Sequence, residues 1–163
     1  MKIFKHLAFS ALLAISVSGA NAQDYDKGMA AYNAGDFQAA LKEWMPLAES
    51  GDANAQDNIG IMYAEGKGVI QNYVDAVNWY RLSAYQGNSI AQNNLGGMYD
   101  EGNGVIQSNV MAHMWYNIAS ANGMIFASKW RDEIAVKMTQ EEINKAQAMA
   151  KECISSGYKD CGW

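Results

Sequence analysis

The chain has 163 residues, half of them hydrophobic and 18% charged, with one proline and two cysteines, the make-up of one ordinary globular domain and not of a disordered chain. Lysine and arginine number 12 against 17 aspartates and glutamates, a net charge of −5. Setting aside Lys2 and Lys5, which precede the apolar run described next, leaves 10 basic against 17 acidic side chains, near −7; so acidic a chain is a poor match for a phosphate backbone, which excludes nucleic acid as the expected partner.

Lys2 and Lys5 stand ahead of an apolar stretch from Leu7 to Val17, which runs into Ser18-Gly19-Ala20-Asn21-Ala22. This pattern predicts a secretory signal peptide over residues 1–22, cleaved before Gln23, and hence a periplasmic or secreted protein of residues 23–163. The apolar run falls well short of the roughly 20 residues that span a bilayer, so no stable membrane anchor is expected. In an oxidising compartment Cys153 and Cys161 read as a local structural disulfide. A metal site needs about four ligands; beyond those two sulfurs the mature chain offers one histidine, His113, and neither metal nor cofactor is expected.

In chain order, Tyr25, Met29 and Tyr32 mark a first helix over 25–34. Asp36, Phe37, Ala40, Trp44, Ala48 and Gly51 then stand 36 residues before Asn72, Tyr73, Ala76, Tyr80, Ala84 and Gly87, so 36–51 is a helix of the same kind and 25–52 a degenerate first repeat. The periodicity is clearest in the next two units, 53–88 and 89–124, which are identical at 17 of 36 positions. Ala55, Ile59, Met62 and Tyr63 form one apolar stripe, and Ala76, Trp79, Tyr80, Ser83 and Ala84 form another, so each unit is a helix pair. Gly66 and Gly68 break the pair, Asn72 and Ser108 are cap residues, and Gly87 and Gly123 end the second helices. Residues 125–163 form a C-terminal cap with helices predicted over 124–134 and 139–155, the latter opened by a Thr139-x-x-Glu142 capping box. Three units with modified ends satisfy what a stacked array requires.

The pattern Ala-x-x-x-Leu/Ile-Gly-x-Met-Tyr, then x-x-Gly-x-Gly-Val, then Ala-x-x-Trp-Tyr and a closing glycine resembles the Sel-1-like repeat family, relatives of the tetratricopeptide repeats. Ile70 and Ile106 depart from the proline frequent there, and Asn72 and Ser108 from the aspartate. The resemblance implies an all-α fold, an α/α superhelical solenoid of helix-turn-helix repeats with a C-terminal capping helix, which binds proteins or peptides and has no chemistry common to the family.

The expected function is therefore an exported, non-catalytic interaction module: an envelope adaptor, a regulator or a toxin-immunity protein. The partner-binding candidates lie on the first helix of each repeat, off its apolar stripe: Asn54, Asp57, Asn58 and Ile61, with Asn93, Asn94, Gly97 and Asp100 in the second copy. Amides suit the backbone of a bound peptide; Asn58 and Asn94, identical in both copies, have the alternative of bonding within or between repeats. Met111, Met114 and Trp130 are read as outward-facing, either partner contacts or a seal for the cap, and His113, opposite Val77 in the preceding unit, as a partly exposed helical side chain. The glycine loops match no phosphate-binding pattern. The alternative is a hydrolase of peptidoglycan or β-lactams built on paired carboxylates, but Glu65 and Glu101 recur at equivalent loop positions, and Asp132, Glu133, Glu141, Glu142 and Glu152 read as helix-surface residues.

Overall fold

The computed structural model describes residues 24–162; the expected leader and its cleavage site lie outside the described residues. Among these are eight helices and no strands: α1 over 24–33, α2 Phe37–Glu49, α3 Ala53–Glu65, α4 Tyr73–Ala84, α5 Ser89–Glu101, α6 Asn109–Ala121, α7 Ala127–Ala135 and α8 Gln140–Ser155. Successive helices pack in sequence from α2 to α7, and α8 returns onto α6. The fold is an all-α repeat solenoid.

Local chemistry sets the helix boundaries. Asp52 and Asn88 cap α3 and α5 by accepting backbone N–H groups, and Asn72 and Ser108 do the same for α4 and α6, relieving donors that have no partner inside the helix. The α3 and α5 C-caps are Gly66 and Gly102 in the left-handed conformation, and Thr139 and Glu142 form the expected reciprocal box at the start of α8. Among α2 to α8, α7 alone starts without a side-chain cap.

Two close approaches explain the recurring glycines. A Cβ on Gly60 would lie 2.6 Å from the Tyr80 ring, and one on Gly96 would lie 2.5 Å from the Tyr116 ring, so each first helix is drawn against the aromatic of its second helix. Gly28 meets Trp44 in the same way, at 2.3 Å. Gly28 precedes its aromatic by 16 residues where Gly60 and Gly96 precede theirs by 20; the degenerate first unit is thus a complete helix pair whose connecting loop is four residues shorter. The second approach runs between units. A Cβ on Gly68 would meet Phe37 O at 2.9 Å, and one on Gly104 would meet Tyr73 O at 2.4 Å. Each glycine loop therefore rests on the start of the previous unit's second helix.

The core falls into two clusters. Ala40, Trp44, Leu47, Ile59 and Met62 form the N-terminal one. The larger runs from Val77 and Tyr80 through Leu95, Trp115 and Ile118 to Ile134, Ala150 and Cys153. Three sequence expectations change here. Met114 is fully buried and His113 is 2% exposed, because α6 is covered by α7 and α8 in addition to α5; a helix wrapped on three sides has little outward face. Trp79 is only half-buried against the N-terminal cluster. Met111 is half-buried, and Trp130 is exposed as expected.

Cys153 and Cys161 are bridged and buried. The loop they close carries Tyr158, which holds a left-handed φ of 66° and donates its hydroxyl to Asn122 Oδ1 at 3.0 Å. Asn122 in turn donates to Gln92 Oε1 and Gln92 to Ala84 O, so the disulfide loop ties the chain end to the last full repeat.

Candidate functional site on the row of first helices

Two amides join the first helices into a row. Asn94 on α5 donates from Nδ2 to Asp57 Oδ1 on α3 at 3.0 Å; one unit earlier, Asn58 on α3 donates to the Tyr25 hydroxyl on α1 at 3.1 Å. Allowing for the shortened loop, Tyr25 occupies in α1 the place of Asp57 in α3. The inter-repeat role left open for Asn58 and Asn94 is thus realised, which commits part of the candidate set to the array itself.

Asp57 departs furthest from its expected place. Its expected place is off the core, yet it is 4% exposed, with Asn94 of the next unit reaching over to it. Burial raises its carboxyl pKa to about 6, against the opposing effect of the Asn94 hydrogen bond. A buried carboxylate with one neutral donor is poorly compensated. Gln56 and Gln92 are buried on the opposite side, against the preceding unit, where their amides donate to Ala48 O and Ala84 O. Regular i→i+4 counting could not reveal these positions, since the covering surface comes from the neighbouring repeats.

The remaining candidates are more accessible. Asn54 is exposed and accepts from Asn88 Nδ2 at 3.2 Å. Ile61 is half-buried beside the larger core cluster. Gly97 replaces it one unit later, leaving room for the Tyr116 hydroxyl, which lies 3.7 Å from where a Cβ would stand. Asn93 is half-buried, its Oδ1 without a hydrogen-bond partner among the described residues. Asp100 is half-buried and lies 3.9 Å from Lys137 Nζ. Asn93, Gly97 and Asp100 follow one another at i, i+4 and i+7, a single stripe along α5.

The carboxylates of the alternative reading are placed otherwise. Glu65 pairs with Lys67 at 2.6 Å, and Glu101 accepts from Asn103 Nδ2 at 2.6 Å; both are exposed and, instead of lying in the loops, are the last residues of α3 and α5. A Ser-x-x-Lys spacing, Ser156 to Lys159, resembles that of penicillin-recognising serine enzymes. In the structure Ser156 Oγ is a turn residue: it donates to Cys153 O and accepts from the backbone N–H groups of Lys159 and Asp160. Among the described residues no group of three or more His, Cys, Asp or Glu side chains is arranged to hold a metal ion.

Comparison with known proteins agrees with this architecture. The Sel1 repeat family model matches residues 53–88 and 89–124. The fold is similar to a protective antigen present in uropathogenic Escherichia coli strains that displays an SLR fold, with a TM-score of 0.81 and 27% identity over 88% of this chain and 32% of that one; the chain spans about a third of that protein's length. It is also similar to a Sel1 repeat protein from Oxalobacter formigenes, with a TM-score of 0.64 and 29% identity over 77% of this chain and 97% of that one. No curated protein matches the chain.

Proposed function

From two matched Sel1 repeats in a fold similar to those of SLR proteins, and the protein-interaction role such repeats imply, we propose that the chain is an exported, non-catalytic adaptor or regulator that captures a protein or peptide on its row of first helices. The observation carrying this reading is the difference between units along that row. Residues that join the repeats, Asn58 and Asn94, are the same in both copies, whereas the accessible stripe changes from Ile61 to Gly97. Uniform positions maintain an array; varied ones are where a partner can be selected. Export is supported by the leader pattern of residues 1–22 and by a disulfide of the kind that persists in oxidising compartments. Within the exported class, a neighbouring toxin gene would favour an immunity role and a neighbouring envelope-assembly gene an adaptor.

Capture from envelope extract tests the reading. Ile61→Glu and Gly97→Trp are expected to retain helical content while losing the partner, with the bulky change acting more strongly than Asn54→Ala, because affinity concentrates in a few packed contacts. Unaltered capture by both variants would move the surface elsewhere, with Met111 and Trp130 next to be changed. Hydrolysis of peptidoglycan or a chromogenic β-lactam above background would replace the reading with the enzymatic one, and intact mass showing a retained Met1 would remove export.

A further inference from the structure

His113 and Val77 hold the same position in successive units, and both are buried, at 2% and 1% exposed. The substitution falls at the seam where the repeat array meets its cap. There α6 packs against α7, and Arg131 of α7 donates from Nη1 to Asn117 Oδ1 at 3.4 Å, one helical turn along α6 from His113. His113 Nδ1 is buried without a hydrogen-bond partner among the described residues. The charges acting on the ring are Arg131 and Asp132, both on α7, and Arg131 already engages Asp132 Oδ1 through Nε and Nη2, at 2.9 and 2.7 Å.

We infer that His113 is an acid-sensitive latch for the C-terminal cap: as a neutral ring it packs as valine does in the preceding unit and α7 stays docked, and as imidazolium it loosens α7 from α6. A protonated ring here would be a cation in a buried site beside a second cation, Arg131, whose carboxylate partner is shared. Burial, and then Arg131, hold the His113 pKa below the ordinary histidine range, with Asp132 opposing. The sign follows from linkage. The undocked ring binds its proton more readily than the docked one, so docking weakens as pH falls below the ordinary histidine value of about 6.5 and goes on weakening until the docked ring is itself protonated. Undocking uncovers Ile134, buried at 1% exposed, on the segment that also carries Ile125, Phe126 and Trp130, which are exposed in the docked state. Acidification therefore adds to the exposed apolar side chains at the end of the array. This device is independent of the partner groove.

Hydrogen exchange on the whole exported chain at pH 7.5 and pH 5, expressed as protection factors so that the intrinsic pH dependence cancels, reads the latch directly. Peptides from 127–135 are expected to lose protection severalfold at pH 5 while those from 53–101 do not. His113→Val, which restores the residue of the preceding unit, should keep α7 protected at both values. Asp57→Asn serves as a control, because Asp57 titrates in the same range from α3; the α7 response must survive it. Should His113→Val fold poorly, the imidazole resonance of the unaltered chain gives the same answer, titrating below the ordinary histidine range in step with α7 exchange. Protection of α7 that is the same at both pH values, a response retained in His113→Val or lost in Asp57→Asn, or a ring titrating as free histidine would overturn the inference.

Discussion

Asn94 and Asp57 form a hydrogen bond across the boundary between two repeats, and the acceptor is a carboxylate that the next repeat buries. Its folded pKa, about 6, lies above the ordinary value of 3.8 because of that burial. A carboxyl raised on folding favours the folded state when protonated; its cost grows as pH rises from about 4 to about 6 and is fully present above that. Asp57→Asn keeps an acceptor for Asn94 without the charge. It should stabilise the protein by roughly 2–3 kcal/mol at pH 7.5 and by almost nothing at pH 4. Urea melts at the two pH values check this, and equal effects at both would contradict it.

Trp115 is fully buried, whereas Trp79, its counterpart one unit earlier, is half-buried. Trp115→Ala should therefore cost about 3–5 kcal/mol, since the helices around it cannot close over the void, and Trp79→Ala roughly half as much. Equal losses in thermal or denaturant melts would show that the two sites are packed alike.

Gly104 and Gly123 both have left-handed φ, 70° and 94°. An added Cβ at Gly123 meets nothing within 4 Å, but one at Gly104 meets the Tyr73 carbonyl. Gly123→Ala should cost only the conformational penalty, about 1–2 kcal/mol. Gly104→Ala must also push the loop away from α4 and should cost more. Comparing the two denaturation midpoints separates conformational strain from contact between units.

The bridge between Cys153 and Cys161 closes a short loop, and replacing both with serine should cost on the order of 2–3 kcal/mol. Because Tyr158 lies within that loop and reaches Asn122, exchange of the α6 C-terminal amides should accelerate as well. The unaltered protein should show no free thiols under denaturing, non-reducing conditions; two would mean the bridge is absent.

The solenoid was legible because its signals are local or periodic. Caps at Asn72, Ser108 and Thr139 and the 36-residue return of Gly60 as Gly96 can be read along one chain. What escaped was coverage by a neighbouring element. Asp57 looks peripheral on its own helix and becomes interior only when α5 is laid over it. His113 and Met114 follow the same logic, since nothing in the α6 sequence says that α7 and α8 both return to it. Gly28 was missed for another reason: the short loop after α1 shifts its register by four residues, which hides the likeness to Gly60 from any fixed-period comparison. The amide bridges were only half legible, as their donors repeat but their acceptors, Tyr25 and Asp57, do not.

That mismatch of acceptors bears on how such a chain can change its length. Tyr25 and Asp57 offer an oxygen at matching places to Asn58 and Asn94; likewise Phe37 and Tyr73 present the same backbone oxygen to Gly68 and Gly104, and Ala48 and Ala84 receive Gln56 and Gln92. Removing residues 53–88 as one block would bring Asn94 to Tyr25, Gly104 to Phe37 and Gln92 to Ala48, so that each of these three contacts is re-formed, Asn94 with a phenol oxygen in place of a carboxylate. Duplicating the block would preserve them equally. The boundary between units is therefore an interchangeable joint, at which the array can be lengthened or shortened by whole repeats while its cap and its first helix pair stay as they are.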